Sequence, residues 1–144
     1  MSCYAGGCHC GNVRYQYETA VLPEQWSVRR CTCTFCLRLA ARYTSAADAQ
    51  LALTVLYASM VQRYEFGTKT AEFLRCARCG VMIAALSGND SARIAVLNVN
   101  TLDDIESLAL QTAPADFDGE VLDDRLARRQ ANWIQGVTID YVNA

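Results

Sequence analysis

Residues 13–18, VRYQYE, alternate strictly: Val13, Tyr15 and Tyr17 fall on one face, Arg14, Gln16 and Glu18 on the other. A period of two carried by β-branched and aromatic residues predicts a half-buried strand. QWSVRR at 25–30, LALTVLY at 51–57, MVQRYEF at 60–66 and EFLRC at 72–76 also read as extended, with a turn at Gly67-Thr68. VMIAAL at 81–86 is apolar throughout and predicts a strand covered on both faces. RIAVLNVN at 93–100 follows an SGND turn, and TIDYV at 138–142 closes the chain as a strand. Helices are expected in two places. TLDDIESL starts at Thr101 as N-cap with Asp104 three residues on. GEVLDDRLARRQANW at 119–133 has Asp118 as a cap and Val121, Leu122 and Leu126 as a short apolar face.

Composition narrows the class. The chain has 144 residues, 52% of them hydrophobic and 19% charged, so one globular domain over 1–144 is expected, with a core of its own. A net charge of −2 gives no electrostatic reason to expect nucleic acid or an anionic membrane as partner. The apolar runs are too short to cross a bilayer, and MSCYAGGCHCG lacks the pattern of a signal peptide. A cytoplasmic, reducing location is the expectation.

Eight cysteines in such a compartment call for a metal more than for disulfides, because Cys-x-Cys and Cys-x-x-Cys pairs bring two sulfurs to one point. They sort by spacing. Cys8-His9-Cys10-Gly11 and Cys76-Ala77-Arg78-Cys79-Gly80 are two pairs, each ended by a glycine that permits a sharp turn. Together Cys8, Cys10, Cys76 and Cys79 make a closed Cys₄ structural zinc site. Cys31, Cys33 and Cys36 remain, and three protein ligands with an open position mark a reactive zinc. Two zinc ions per chain are expected. Cys3 is either a fourth ligand to the triplet or a thiol near a frayed terminus, the reading favoured here. If residues 8–10 are extended, both sulfurs share one face and His9 points away, so His9 is not read as a ligand.

GGCHCGNVRYQYE, RRCTCTFCLR and YEFGTKTAEFLRCARCGVMI, in that order, followed by VLNVNTLDD and FDGEVLDDRLARRQANW, resemble the GFA family, the glutathione-dependent formaldehyde-activating enzymes and relatives that include centromere protein V. The resemblance spans nearly the whole chain. It implies a mainly β, Mss4-like fold, a zinc-stabilised tent of folded antiparallel sheets with one or two short helices. It also implies structural zinc on Cys8, Cys10, Cys76 and Cys79 and catalytic zinc on Cys31, Cys33 and Cys36. Two positions depart from the family pattern. Leu37-Arg38 stands where members often carry two arginines, and Arg75 where an aromatic residue often precedes the last cysteine pair.

Three thiolates weaken zinc as a Lewis acid and suit it to hold a soft fourth ligand, a substrate thiol. The expected activity is that of a carbon–sulfur lyase acting on a thiol–aldehyde adduct such as S-hydroxymethylglutathione. Glutathione carries two carboxylates and needs cations. Arg38, two residues past Cys36, is the expected substrate-binding residue, with Arg42 sharing its face if LRLAAR is helical. Arg125, Arg128 and Arg129 read as a solvated helix face balanced by Glu120, Asp123 and Asp124. Tyr64, Phe66 and Thr68 read as strand and turn residues, and Trp26 and Trp133 as core. Two other functions stay open on sequence alone: a zinc-stabilised interaction module, and an enzyme for a different thiol adduct.

Overall fold

The computed structural model describes residues 1–89 and 91–143. Its strands are β1 (Ser2–Gly7), β2 (Val13–Thr19), β3 (Val28–Cys31), β4 (Tyr43–Thr44), β5 (Gln50–Tyr57), β6 (Val61–Tyr64), β7 (Ala71–Cys76), β8 (Met82–Ser87), β9 (Ile94–Asn98), β10 (Thr112–Ala115) and β11 (Gly136–Asn143). Two helices accompany them, α1 (Thr34–Leu39) and α2 (Leu122–Asn132). A four-stranded sheet runs β1-β2-β5-β11 and a seven-stranded sheet runs β10-β3-β4-β9-β8-β7-β6. The fold is mainly β, as expected, but the sheets are mixed and not purely antiparallel. β11 joins β5 in parallel and β10 joins β3 in parallel. Both parallel strands come from the last third of the chain and lie at sheet edges.

The alternation in β2 does what it predicts. Val13, Tyr15 and Tyr17 are buried while Arg14 is exposed, and they face Leu51, Leu53 and Val55 of β5 in the main core with Leu74, Ile83 and Leu97. β8 is buried along its whole length, and so is β9. Each lies between two apolar layers. Ala95 and Leu97 belong to the main core, whereas Ile94 and Val96 belong to a second cluster with Cys36, Ala41, Tyr43, Met82, Ala85 and Trp133. The second cluster is the floor of the site described below.

Five expectations fail. The segment from Thr101 is not an α-helix but two short 3₁₀ turns, Val99–Thr101 and Ile105–Ser107. Leu102 between them is extended and bridges Gly6, and the Asp103 N–H donates to the Ala5 carbonyl, so pairing with β1 overrides local propensity. Residues 25–30 enter a paired strand only at Val28, because Pro23–Gln25 forms a 3₁₀ turn that ends at Trp26. Cys8–Cys10 is a turn and not an extended stretch, although His9 is exposed as expected. α2 begins at Leu122 without a side-chain cap, and Asp118 lies outside it. Its apolar face is turned outward: Val121, Leu122 and Leu126 are exposed while Arg129 is buried. The expected SGND turn ends on Asp90, outside the described residues.

β1 depends on a residue without a side chain. A Cβ on Gly6 would fall on the Tyr15 hydroxyl and the Thr101 carbonyl. That hydroxyl is buried and bonds Thr101 Oγ1 at 2.8 Å, while Thr101 donates to the Asn98 carbonyl. Gly6→Ala should therefore destabilise the fold by about 1–3 kcal/mol, the usual cost of overpacking. Urea denaturation measures it, and an unchanged midpoint would show that the contact yields freely.

Candidate active site

The first thiol cluster joins the two sheets. Cys8 and Cys10 lie in the turn between β1 and β2, and Cys76 and Cys79 at the turn between β7 and β8. Their four sulfurs lie within 4.8 Å of one another. Cys8 and Cys10 Sγ are 3.7 Å apart, and Cys10 and Cys76 Sγ 3.5 Å. These are not disulfides, whose sulfurs sit at about 2.05 Å. They are close to the edge of a tetrahedron built on Zn–S bonds of about 2.3 Å, which is about 3.8 Å. Gly11 and Gly80 follow each pair with φ of 87° and 82°, the left-handed turn that lets backbone N–H groups reach the sulfurs. The Val13 N–H points at Cys8 Sγ at 3.3 Å and the Cys79 N–H at Cys76 Sγ at 3.5 Å. Burial opposes ionisation of Cys79, but N–H groups of Val81 and Cys10 and the thiols of Cys76 and Cys8 bring its pKa down to about 6. Burial pushes Cys76 up to about 11.

The second cluster is made by one short segment. Cys31 ends β3, Cys33 caps α1 by accepting from the Cys36 N–H at 3.3 Å, and Cys36 sits inside the helix. Their sulfurs also lie within 4.8 Å of one another. Cys36 is 2% exposed, and Cys31 and Cys33 are half-buried. The Tyr43 hydroxyl lies 3.2 Å from Cys36 Sγ. Hydrogen bonding from Cys36 holds Cys31 at about 6, while that same bond and burial push Cys36 up. Burial also pushes the Tyr43 hydroxyl up, so it keeps its proton. Cys3 is an exposed thiol outside the triplet, the reading favoured above, but it lies in β1 and not in a frayed end. It pairs with Glu18 in the β1–β2 ladder, and its thiol donates to Gln16 Oε1 at 2.6 Å. Among the described residues, neither cluster includes Cys3 or His9. Both clusters could hold a metal ion, and all-sulfur donors are consistent with zinc.

The triad opens onto a cavity of about 170 Å³. Ala71, Ala85 and Val96 of the sheet and Trp133 after α2 form its apolar side. Phe66 and Phe73 extend that side into a cluster of four rings with Phe35 and Tyr64, whose centroids lie 4.8–5.7 Å apart. Arg29, Asp118, Arg125, Arg128 and Arg129 line the cavity as well. The sequence expectation for the arginines is thus reversed. Arg125 and Arg128 both bond Glu120, at 3.3 and 3.0 Å, but their helix face is turned to the cavity and not to solvent. Arg38 is exposed on α1, with Nη1 donating to its own helix at the Thr34 carbonyl, and does not line the cavity. Ala40 ends α1 in the left-handed region, so Arg42 leaves the helix and bonds Asn100 Oδ1. Phe66 lines the cavity, Tyr64 only abuts its aromatic wall, and Thr68 is exposed. Trp26 and Trp133 are both buried, and Trp133 also lines the cavity.

Sequence reading missed Arg29, Tyr43 and Asp118. Arg29 and Tyr43 are direct partners in the β3–β4 ladder, a pairing that no local motif announces. The arginines of α2 did leave a signal, since positions 125, 128 and 129 share one helix face.

Comparison with known proteins agrees with this geometry. No curated protein matches the chain. Among solved structures, a crystal structure of a Rhodobacter sphaeroides protein from a structural-genomics programme is similar, with a TM-score of 0.54 and 26% identity over 76% of this chain and 99% of that one. The family described as glutathione-dependent formaldehyde-activating enzyme matches residues 3–116, which include all eight cysteines and stop short of α2. The chain belongs to the glutathione-dependent formaldehyde-activating enzyme family.

Proposed function

We propose that this protein is a zinc-dependent carbon–sulfur lyase acting on a thiol–aldehyde adduct of the kind glutathione forms with formaldehyde. Cys31, Cys33 and Cys36 are the ligands of its reactive zinc, and Cys8, Cys10, Cys76 and Cys79 those of a structural one. The observation that carries the reading is the triad: three sulfurs backed by the core on one side and open to a cavity on the other, without a fourth protein ligand among the described residues. A closed site would favour an interaction module instead. Family membership supports formaldehyde-activating chemistry, and eight free thiols suit a reducing cytoplasm. No helix among the described residues is long and apolar enough to cross a membrane.

When bound at the triad, zinc supplies a soft acceptor that stabilises a substrate's sulfur as the thiolate. The protein's own groups do the rest. The Tyr43 hydroxyl donates to Cys36 Sγ and fixes that sulfur's orientation. The α1 N-terminus fixes Cys33 in the same way. Phe66, Phe73 and Trp133 keep bulk water from the sulfurs. In the forming direction the substrate's sulfur pair attacks the aldehyde carbon and makes the C–S bond. The C=O π pair moves onto oxygen, which takes the proton the thiol gave up. The reverse breaks the C–S bond and releases thiol and aldehyde. Asp118 is the one carboxylate lining the cavity among the described residues, and its charge is felt at Cys31. It is the group that carries the proton between sulfur and oxygen. The remaining contribution is proximity, which holds both reactants in one small space.

The two metal sites separate in their response to removal. Mild chelation should take one of two zinc ions and abolish C–S bond cleavage while the far-ultraviolet circular dichroism stays native. Cys79→Ser should instead unfold the chain, since a structural zinc contributes on the order of 10 kcal/mol coupled to folding. Loss of both ions in one step, with the fold, would contradict the assignment of separate roles.

Asp118→Asn should lower kcat by about 10²-fold, the usual weight of a general acid–base group, and leave thiol affinity unchanged. Steady-state kinetics with a titration of bound thiol measures both; an unaltered kcat removes Asp118 from the reaction.

A further inference from the structure

Arg129 is the charged group for which the chemistry above has no use. It is 9% exposed, with its guanidinium 5.0 Å from the centre of the Trp133 ring. Nη1 donates to Thr70 Oγ1 at 2.8 Å. Nε is buried without an acceptor. Among the described residues no carboxylate is hydrogen-bonded to it, and the nearby Glu120 is shared by Arg125 and Arg128. Burial holds its pKa down at about 10, and the neighbouring Arg128 and Arg125 add to the effect. Arg29, on the same cavity, is in a similar position. It donates to Ser45 Oγ at 2.9 Å and to Ser27, all neutral acceptors, and burial and Arg128 lower its pKa. Arg128 is already engaged twice, by Glu120 and by the Phe117 ring, whose centre is 3.6 Å away.

A guanidinium buried without a counter-ion is costly, and four guanidiniums facing one cavity carboxylate make a space that wants an anion. Nε and Nη2 lie on one edge of the Arg129 guanidinium, the edge that Thr70 leaves open, and two parallel N–H groups match a carboxylate. The sulfurs lie on the same cavity. Resting on the thiol reading of the triad, we propose that Arg129, with Arg29 beside it, is the residue that receives a carboxylate of the thiol substrate and so sets the site's preference for it. Arg129 lies beyond residues 3–116, the stretch matched by the family. Arg29 lies within that stretch, so the two arginines come from opposite ends of the chain. The carboxylate-receiving role also accounts for the outward apolar face of α2, because the helix is turned to bring Arg129 in.

The test uses two thiols of similar size, 3-mercaptopropionate and 2-mercaptoethanol, titrated calorimetrically into the zinc-loaded protein. The carboxylate thiol should bind at least about tenfold more tightly, the weight of one charge-assisted hydrogen bond. In Arg129→Gln, checked for an intact melting transition, the ratio should fall close to one, and Arg129→Lys should restore only part of it. Equal affinities in the unaltered protein would overturn the carboxylate preference while leaving the thiol site standing. Failure of either thiol to bind would instead overturn the thiol reading beneath it. A folded Arg129→Gln protein that keeps the full ratio would remove Arg129 as the receiving group. Should that variant not fold, the comparison in the unaltered protein still decides the preference.

Discussion

Cys10 and Cys76 are 66 residues apart and their sulfurs are 3.5 Å apart. That contact is the constraint on which the rest of the architecture hangs. One sulfur belongs to the first turn of the four-stranded sheet and the other to the end of a strand of the seven-stranded sheet. With Cys8 and Cys79 they draw both sheets to one point, and the main core fills the space between them. Four thiolates cannot be held so close without a cation, because like charges at that distance repel strongly in a partly buried site. A metal bound there would contribute to folding energy.

The same geometry leaves the opposite face of the seven-stranded sheet to the second cluster and its cavity. β8 leaves the Cys79-Gly80 turn, and β9 returns beside it, carrying core residues on one face and the floor of the cavity on the other. At the second cluster the triad, Tyr43 and Arg29 are set by two short strands and one short helix. The division is economical in ligands. The cluster joining the sheets has four sulfurs, a full set of ligands for a tetrahedral metal, whereas the cluster on the cavity has three and is one short of that set.

Much of this was legible in the cysteines. The four-and-three partition follows from glycine-ended pairs against a lone triplet, and the structure gathers the same residues. The strands of the core were legible too, since strict alternation at 13–18 and the apolar run at 81–86 each report a burial pattern. Long-range pairing was not. Leu102 is extended because Gly6 pairs with it, and nothing local to TLDDIESL says so. α2 defeats the amphipathic rule outright. Leu122 and Leu126 face solvent because arginines occupy the inward face, and a rule that sends leucine inward has no term for a cavity that needs cations. Arg38 was a candidate through its place in sequence beside Cys36, yet its side chain turns back along α1.

The central claim is that the triad keeps one metal position for an outside thiol. Zinc K-edge X-ray absorption on the two-zinc protein tests it directly, because the mean number of sulfurs per zinc is counted across both sites. Four ligands at one site and three at the other give an average of about 3.5 sulfurs. The account predicts that this average rises to about 4 when the thiol substrate is added. An average of about 4 from the outset, or one that does not change with thiol, would contradict it.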